Sequence, residues 1–423
     1  MTPSPAASRP LVEAPIYRRT SCRLCGGKRL DVVLSLRPTP LEDDYRRADR
    51  LAPQKAYPLD LACCADCGHV HLLDVIDAGK IYSEYLYETK VSLGLAEHYD
   101  HYAQSVIERL RLPAGSVVVE FGSNDGTMLR AFQKRGMKVL GVDPAAPIAK
   151  AATDAGTETL AAFFTAELAR KIKADRGPAQ LIAANMVLAN IDNLDDIAAA
   201  LLELLADDGV FVCETGYLLD TIQNDVFDNI YHEHLAYHSI KPLSLFFRRH
   251  GLELFAVERN DSKGGSIRFF VQRRGAARAV EPSVANLLAL EAAAGIHTPA
   301  PYRALGERLD RTRAELHRLL GGLKTSGKRI AGFGASHSVT TLVHHFELAP
   351  FLEFIVDDNP RKQDTFMPGT HTPVLHPKAL LERKADYAVV LPWRFSRPIR
   401  ERHADFTRSG GRFIDVLPRV EAL

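Results

Sequence analysis

The stretch "GSVVVEFGSNDGTMLRAFQKRGMKVLGVDPA", Gly115 to Ala145, decides the fold. Val117 to Phe121 is a short apolar run rich in β-branched residues, as expected of a strand buried on both faces. Gly122 to Gly126 supply a turn, Thr127 to Arg135 read as a helix, and Val139 to Val142 as a second strand ending at Asp143. Strand, glycine-bearing turn, helix and strand make a βαβ unit. An acidic residue about 20 positions beyond the turn is the recipe for holding an adenosine ribose. The turn departs from a dinucleotide fingerprint, because Glu120, Ser123, Asn124 and Asp125 stand where a pyrophosphate site would offer bare glycines. A carboxylate there repels a diphosphate and tolerates a sulfonium and an ammonium group. The unit is therefore expected to take S-adenosylmethionine (SAM) rather than NAD.

The alternation extends outward. A helix is expected from about Leu95 to Leu110, stopped by Leu112-Pro113, after a Tyr-rich stretch at 81–90. Gln180 to Asn190 read as a strand running into a polar loop, and Asp196 to Tyr217 as helix, turn and strand. Gly251 to Arg274 read as two strands at a sheet edge, joined through Gly264-Gly265. Amphipathic helices follow at 280–295 and 302–322, and then the pattern begins again. "KRIAGFGASHSVTTLVHHF", Lys328 to Phe346, is strand, glycine turn and helix; "FIVDDNP" ends a strand at Asp357-Asp358; "DYAVVLPW" and "RFIDVLP" are further strands. That is a second doubly wound α/β domain. Its Gly332-Phe333-Gly334-Ala335 turn, opening a helix, suits an anion cradle; the competing reading is glycines kept only for strand–helix packing.

Composition bounds the rest. The chain has 423 residues, with 46% hydrophobic and 25% charged, the balance of an ordinary globular protein. Lys plus Arg number 53 against 52 for Asp plus Glu, which argues against a nucleic-acid partner. No apolar run approaches a membrane span, and the polar, Pro-rich start lacks the apolar core of a secretion signal. A cytoplasmic protein is expected. Five of the six cysteines fall in residues 22–67, which in a reducing compartment points to metal. Cys22-x-x-Cys25 and Cys64-x-x-Cys67, each followed by a glycine, form two knuckles able to complete a structural four-cysteine zinc site. The long gap between them leaves room for an inserted hairpin. Cys63 is a weaker candidate than Cys64, and Cys213 reads as core. The expected division is α/β throughout: a zinc-binding domain with a flexible tail over 1–75, a Rossmann-like SAM domain over 76–280, and a second Rossmann-like α/β domain over 281–423.

"NIYHEHLAYHS", Asn229 to Ser239, concentrates titratable groups with no Lys or Arg. It is not the H-E-x-x-H of zinc proteases, because Ala236 stands four residues after His232. A satisfied structural cluster and a catalytic loop remain open.

Taken in order, CxxC…CxxCGH, "YLYET", "VVEFGSNDGTML", "FDNIYHEHLAYHS", "GGSIR", "GFGAS" and "DDNPRKQDTFMPGTHTPV" resemble the zinc-containing, SAM-dependent C-methyltransferases of nucleotide-linked keto-deoxysugars. The resemblance implies a sugar nucleotide held between the middle and last domains. It also implies that His234 is the base removing a proton next to a ketone, so that the resulting enolate carbon takes the methyl group. Around it, Glu233 and Tyr231 would position the sugar or support the imidazole. If the loop is extended, Tyr231 and Glu233 share one face and His232 and His234 the other, with His232 in a supporting position. Tyr85 or Tyr87 could donate to the carbonyl oxygen. The cofactor candidates are Glu120, Gly122, Ser123, Asn124, Asp125, Gly126, Asp143 and Pro144, with Asn185 and Met186 at the end of a later strand. Phe163 and Phe164 could flank the adenine or pack in the core. Substrate candidates are Lys263, Gly264, Gly265, Ser266, Arg268, Gly334, Ala335, Ser336 and His337. The chain departs from the resemblance at Asn190 and Lys263, where the family has His, at Phe333, where it has Tyr, and at His337, where it has Lys. Two other functions stay open: methylation of oxygen, nitrogen or a non-sugar ketone, and a non-enzymatic zinc-knuckle binding protein.

Overall fold

The computed structural model describes residues 16–77, Thr89 and 94–423. Tyr85, Tyr87 and the N-terminal tail lie outside the described residues.

In the N-terminal part, β1 (Ile16–Arg18) pairs with β5 (Asp74–Ile76). Between the two cysteine pairs runs the expected hairpin, β2 (Leu30–Thr39) against β3 (Tyr57–Cys64), and β4 (Val70–Leu72) adds to β3. The fourth strand of this sheet is borrowed. It is β11 (Ala236–Tyr237), from the "NIYHEHLAYHS" segment, with Ala236 opposite His71 and Tyr237 opposite Val70.

The central sheet has seven strands, in the order β12-β13-β10-β9-β6-β7-β8. They are β6 (Val117–Phe121), β7 (Lys138–Asp143), β8 (Thr159–Ala161), β9 (Ala179–Asn185), β10 (Leu205–Gly216), β12 (Leu252–Asn260) and β13 (Ser266–Arg273). β6 to β10 are parallel neighbours, while β13 runs antiparallel to β10 and β12. The apolar run of β6 is continuous because the sheet is covered on both faces. Val119 and Phe121 face one core with Ile182 and Phe211, and Val118 faces another with Leu181 and Val212. The chain leaves β6 toward β7 on one side and takes β9 on the other, so the strand order reverses between β6 and β9. A crevice opens beyond their carboxyl ends.

The C-terminal sheet repeats this plan, in the order β16-β17-β15-β14-β18-β19-β20. Its strands are β14 (Ile330–Phe333), β15 (Ile355–Val356), β16 (Thr365–Phe366), β17 (Pro373–Leu375), β18 (Tyr387–Val390), β19 (Arg412–Asp415) and β20 (Glu421–Ala422). Here the reversal falls between β14 and β18, both parallel to each other and to their outer neighbours β15 and β19. Helices Pro282–Ala294 and Ala300–Thr325 connect the two sheets. Among the described residues no helix is long and apolar enough to cross a membrane.

Candidate functional site

The two crevices open onto one cavity of about 520 Å³. From the central sheet it is lined by Glu120, Gly122, Ser123 and Asn124 after β6, Asp143 and Pro144 after β7, and Asn185 and Met186 after β9. From the C-terminal sheet come Ser336 and His337 after β14, and Arg394 and Phe395 after β18. Tyr231, Glu233, His234 and Lys263 lie on the wall between them.

The glycine turn is shaped by close packing. Gly122 has φ +68°, and a Cβ there would meet Val187 at 2.7 Å. Asp143 holds the turn, accepting the Asn124 N–H at 2.8 Å and the Ala145 N–H at 2.9 Å. Burial raises the Asp143 carboxyl above its ordinary value. Glu120 is pushed well above the carboxylate range, first by burial and then by the Asp143 charge. Among the described residues its Oε2 is buried without a hydrogen-bond partner. That lone acceptor, in a cleft already rich in carboxylates, fits the ammonium and sulfonium groups of SAM. Asp125 and Gly126 do not line the cavity. Asp125 instead caps the following helix, accepting from Thr127 N–H at 3.1 Å. Phe164 stacks on Phe121 at 4.8 Å in the core, whereas Phe163 is 54% exposed at the cavity rim.

Ahead of β11, the "NIYHEHLAYHS" segment is turned at Tyr231–His234, so the alternation of faces that an extended loop would give does not apply. The His234 N–H donates to the Tyr231 carbonyl at 2.9 Å, closing a turn. A turn abolishes the two-residue alternation, so Tyr231, Glu233 and His234 all reach the cavity and His232 alone faces away. His234 Nδ1–H donates to the Asn229 carbonyl at 2.9 Å, which assigns the lone pair to Nε2; the Tyr231 hydroxyl donates to it at 3.0 Å. Burial pushes the His234 imidazolium down to about 4. Burial, reinforced by Glu42 and Asp43, raises the Glu233 carboxyl well above its ordinary value. Asn190 lines the same cavity.

Several expected substrate contacts are committed elsewhere. Arg268 is buried against Glu214, at 2.8 Å, with its guanidinium 4.0 Å over the Tyr102 ring. The Ser266 hydroxyl donates to Ser262 O at 2.9 Å, and Gly265 lies against Asp220. Gly264 borders a neighbouring recess shared with Trp393 and Arg394. The second glycine turn is not an open anion cradle: Ala335 N–H is already taken by Asp357 at 2.6 Å, Gly334 N–H by Val356 O at 2.7 Å, and Gly334 packs on Pro392. Phe333 packs on His403 at 4.7 Å in the core.

Other groups at the site carried no sequence signal. Arg394 donates to Asp228 at 2.6 Å and to Asn229 Oδ1 at 3.2 Å, so the C-terminal domain grips the loop bearing His234. Its position after β18, at the reversal of the strand order, is the one clue that could have found it. Glu42 and Asp43, from the turn after β2, reach the same loop; Asp43 pairs with Lys362 and lies 3.4 Å from His337 Nε2.

The zinc ligands gather as expected. The sulfurs of Cys22, Cys25, Cys64 and Cys67 lie within 4.8 Å of one another. The Cys22–Cys67 and Cys25–Cys64 separations are 3.7 and 3.5 Å, close to the edge of about 3.8 Å that Zn–S bonds of about 2.3 Å imply for a tetrahedron. N–H groups of Gly27 and His69 point at Cys25 and Cys67. Cys63 stays outside the cluster against the His297 carbonyl, and Cys213 is core.

A SAM-type Rossmann domain joined to a four-cysteine zinc domain defines the class as a SAM-dependent methyltransferase. Residues 22–82 match the family model described as "Putative zinc binding domain", 95–257 "Methyltransferase domain", and 261–418 "C-methyltransferase C-terminal domain". Over 404 residues the chain is 34% identical to the C-methyltransferase NovU of Streptomyces niveus, covering 95% of this chain and 96% of that one. The chain belongs to this family of zinc-domain, SAM-dependent C-methyltransferases. Solved structures that match part of the chain include a SAM-dependent methyltransferase of Clostridium acetobutylicum (12% identity, 43% of this chain and 92% of that one, TM-score 0.35). Another is the magnesium protoporphyrin IX methyltransferase of Synechocystis with bound SAH (14%, 46% and 91%, TM-score 0.34).

Proposed function

We propose that the protein methylates a carbon next to the ketone of a nucleotide-linked deoxysugar through an enolate, with His234 as the base. The observation that carries this is the meeting of the SAM-side turn with Tyr231, Glu233 and His234 in one cavity. Carbon attacks a methyl group only when it carries electron density, so such a site needs a neutral base beside the cofactor. His234 fits: the Asn229 carbonyl fixes its tautomer, its Nε2 lone pair is held only by the Tyr231 hydroxyl, which the substrate would displace, and its depressed pKa keeps it neutral. A bound SAM supplies the electrophilic methyl on a sulfonium leaving group. The chain's own residues orient the sugar, take its proton on Nε2 and stabilise the enolate oxygen. Glu233, whose carboxyl burial raises well above its ordinary value, and Tyr231, once its hydroxyl leaves His234, would be the donors for that oxygen. Lys263, Ser336, His337 and Arg394 are polar and cationic groups on the side where the C-terminal domain closes the cavity, suited to a diphosphate and its sugar. With the domains taken as 1–75, 76–280 and 281–423, the sugar nucleotide would lie between the last two, as the family resemblance implies.

The test uses a thymidine diphosphate-linked 4-keto-6-deoxyhexose in heavy water without SAM. Wild type is expected to wash deuterium into the carbon beside the ketone. His234→Ala is expected to slow exchange and methyl transfer by about 10²–10⁴, with affinity for S-adenosylhomocysteine (SAH) unchanged. With SAM present, product NMR should place the methyl carbon on carbon, well upfield of a methyl on oxygen or nitrogen. Exchange that persists in His234→Ala overturns the assignment.

A further inference from the structure

We infer that Glu42, supplied by the N-terminal domain, is the positioning residue for the turn that carries His234. Its carboxylate is 2% exposed and is divided between two consecutive residues of that turn. Oε1 accepts the backbone N–H of Glu233 at 3.0 Å, and Oε2 accepts from His232 Nδ1 at 3.1 Å. His232 is fully buried, and its Nε2 lies 3.4 Å from the Tyr57 carbonyl on β3, so both ring nitrogens face acceptors of the N-terminal domain. The Glu42 carbonyl in turn accepts the Thr340 hydroxyl at 3.0 Å, from the helix His337–His345 of the C-terminal domain. One residue thus touches all three parts of the chain at the point where the base is held. Burial acts to raise the Glu42 carboxyl, but its bonds to His232 outweigh this and hold it below its ordinary value.

The geometry separates Glu42 from a residue that merely stabilises the fold. It touches neither the SAM-side turn nor the cavity surface, and its bonds end on the backbone of Glu233 and the ring of His232, next to the base. Removing the carboxylate leaves the Glu233 N–H and His232 Nδ1 buried without the partner they had, and the turn is free to rotate His234 off the substrate proton. Small misplacements of a proton acceptor cost rate far more than binding.

The inference rests on His234 being the base, so the two are tested together with the sugar-nucleotide probe named above. Glu42→Gln keeps the shape and one acceptor, Glu42→Ala removes both, and His234→Ala is the reference. Expected is a ten- to hundredfold loss of deuterium exchange and of kcat in Glu42→Gln, with the KM for the probe, SAH affinity and zinc content within about twofold of wild type. Glu42→Ala, where it folds, should lose more. Wild-type exchange in Glu42→Gln, with His234→Ala dead, overturns the role of Glu42 alone. Exchange retained in His234→Ala overturns the base assignment instead. A Glu42→Gln protein that loses zinc or SAH binding in step with activity also overturns the positioning role, because the carboxylate would then serve general folding.

Discussion

Asp143 ends β7 with both oxygens already engaged by N–H groups of the chain. Each carboxylate oxygen has room for a second bond, and Asp143 lines the cavity, so on the proposed reading it would also take the ribose hydroxyls. Removing the side chain costs the ribose contacts and loosens the turn together. Asp143→Ala is expected to weaken SAH binding about ten- to a hundredfold by calorimetry, and Asp143→Asn should fall between. Buried histidines contribute to the acid sensitivity of the fold. His238 is fully buried, and burial pushes its imidazolium down to about 4, against about 6.5 in an unfolded chain. A folded pKa below the unfolded one means that the unfolded chain takes the proton first. Stability therefore falls as pH drops from about 6.5 to 4 and then levels, by about 3 kcal/mol for this residue. Urea midpoints at pH 7, 5.5 and 4.5 should fall less steeply in His238→Gln than in wild type.

At the scale of elements, both glycine turns use one device: a carboxylate ending the second strand accepts a backbone N–H of the turn after the first, Asp143 to Asn124 and Asp357 to Ala335. These units were legible in the sequence. The strand Val117–Phe121 and the helix Leu95–Leu110 run where the pattern put them, because a continuous apolar run and a 3.6-residue period are local properties. The cysteine pairs and their hairpin were legible too, since ligand spacing is a local constraint. The loop at Tyr231–His234 was not. Whether such a segment is extended or turned depends on partners far away in the chain, and the Glu42 bond to Glu233 spans 191 residues. Arg268 misled for the same reason: "GGSIR" marks a sheet edge, but only the fold shows Glu214 waiting for the guanidinium. The borrowed strand β11 ties the zinc domain to the segment that carries His234. Cys64→Ser should lose zinc by elemental analysis, and structural zinc contributes directly to folding. Because Cys64 ends β3, and β4 carries β11, methyl transfer should drop further than SAH binding does.

Across the whole molecule, the N-terminal domain braces both walls of the cavity. Glu42 acts from behind one wall, through the turn that carries His234, and on the other wall stands Asp192, two residues beyond Asn190. Arg19 and Arg23 each donate to Asp192 at 2.7 Å, and Tyr17 also bonds it. Arg23 sits between the zinc ligands Cys22 and Cys25 with its side chain fully enclosed. The zinc knuckle thus holds the loop that carries Asn190, as Glu42 holds the loop that carries His234. The shared sheet also dictates an order of events during synthesis. β2, β3 and β4 come off the ribosome together and can pair at once, but β4 then presents an unpaired edge until Tyr237 emerges. At about 5–20 residues per second, making the roughly 165 residues from Leu72 to Tyr237 takes roughly 8–33 s. For that interval the nascent chain displays Val70 and Leu72, apolar and open on one side, as a template for any other extended segment. The last piece of the zinc domain is therefore made only after most of the SAM domain, and a chain that stalls between them is left with a sticky edge.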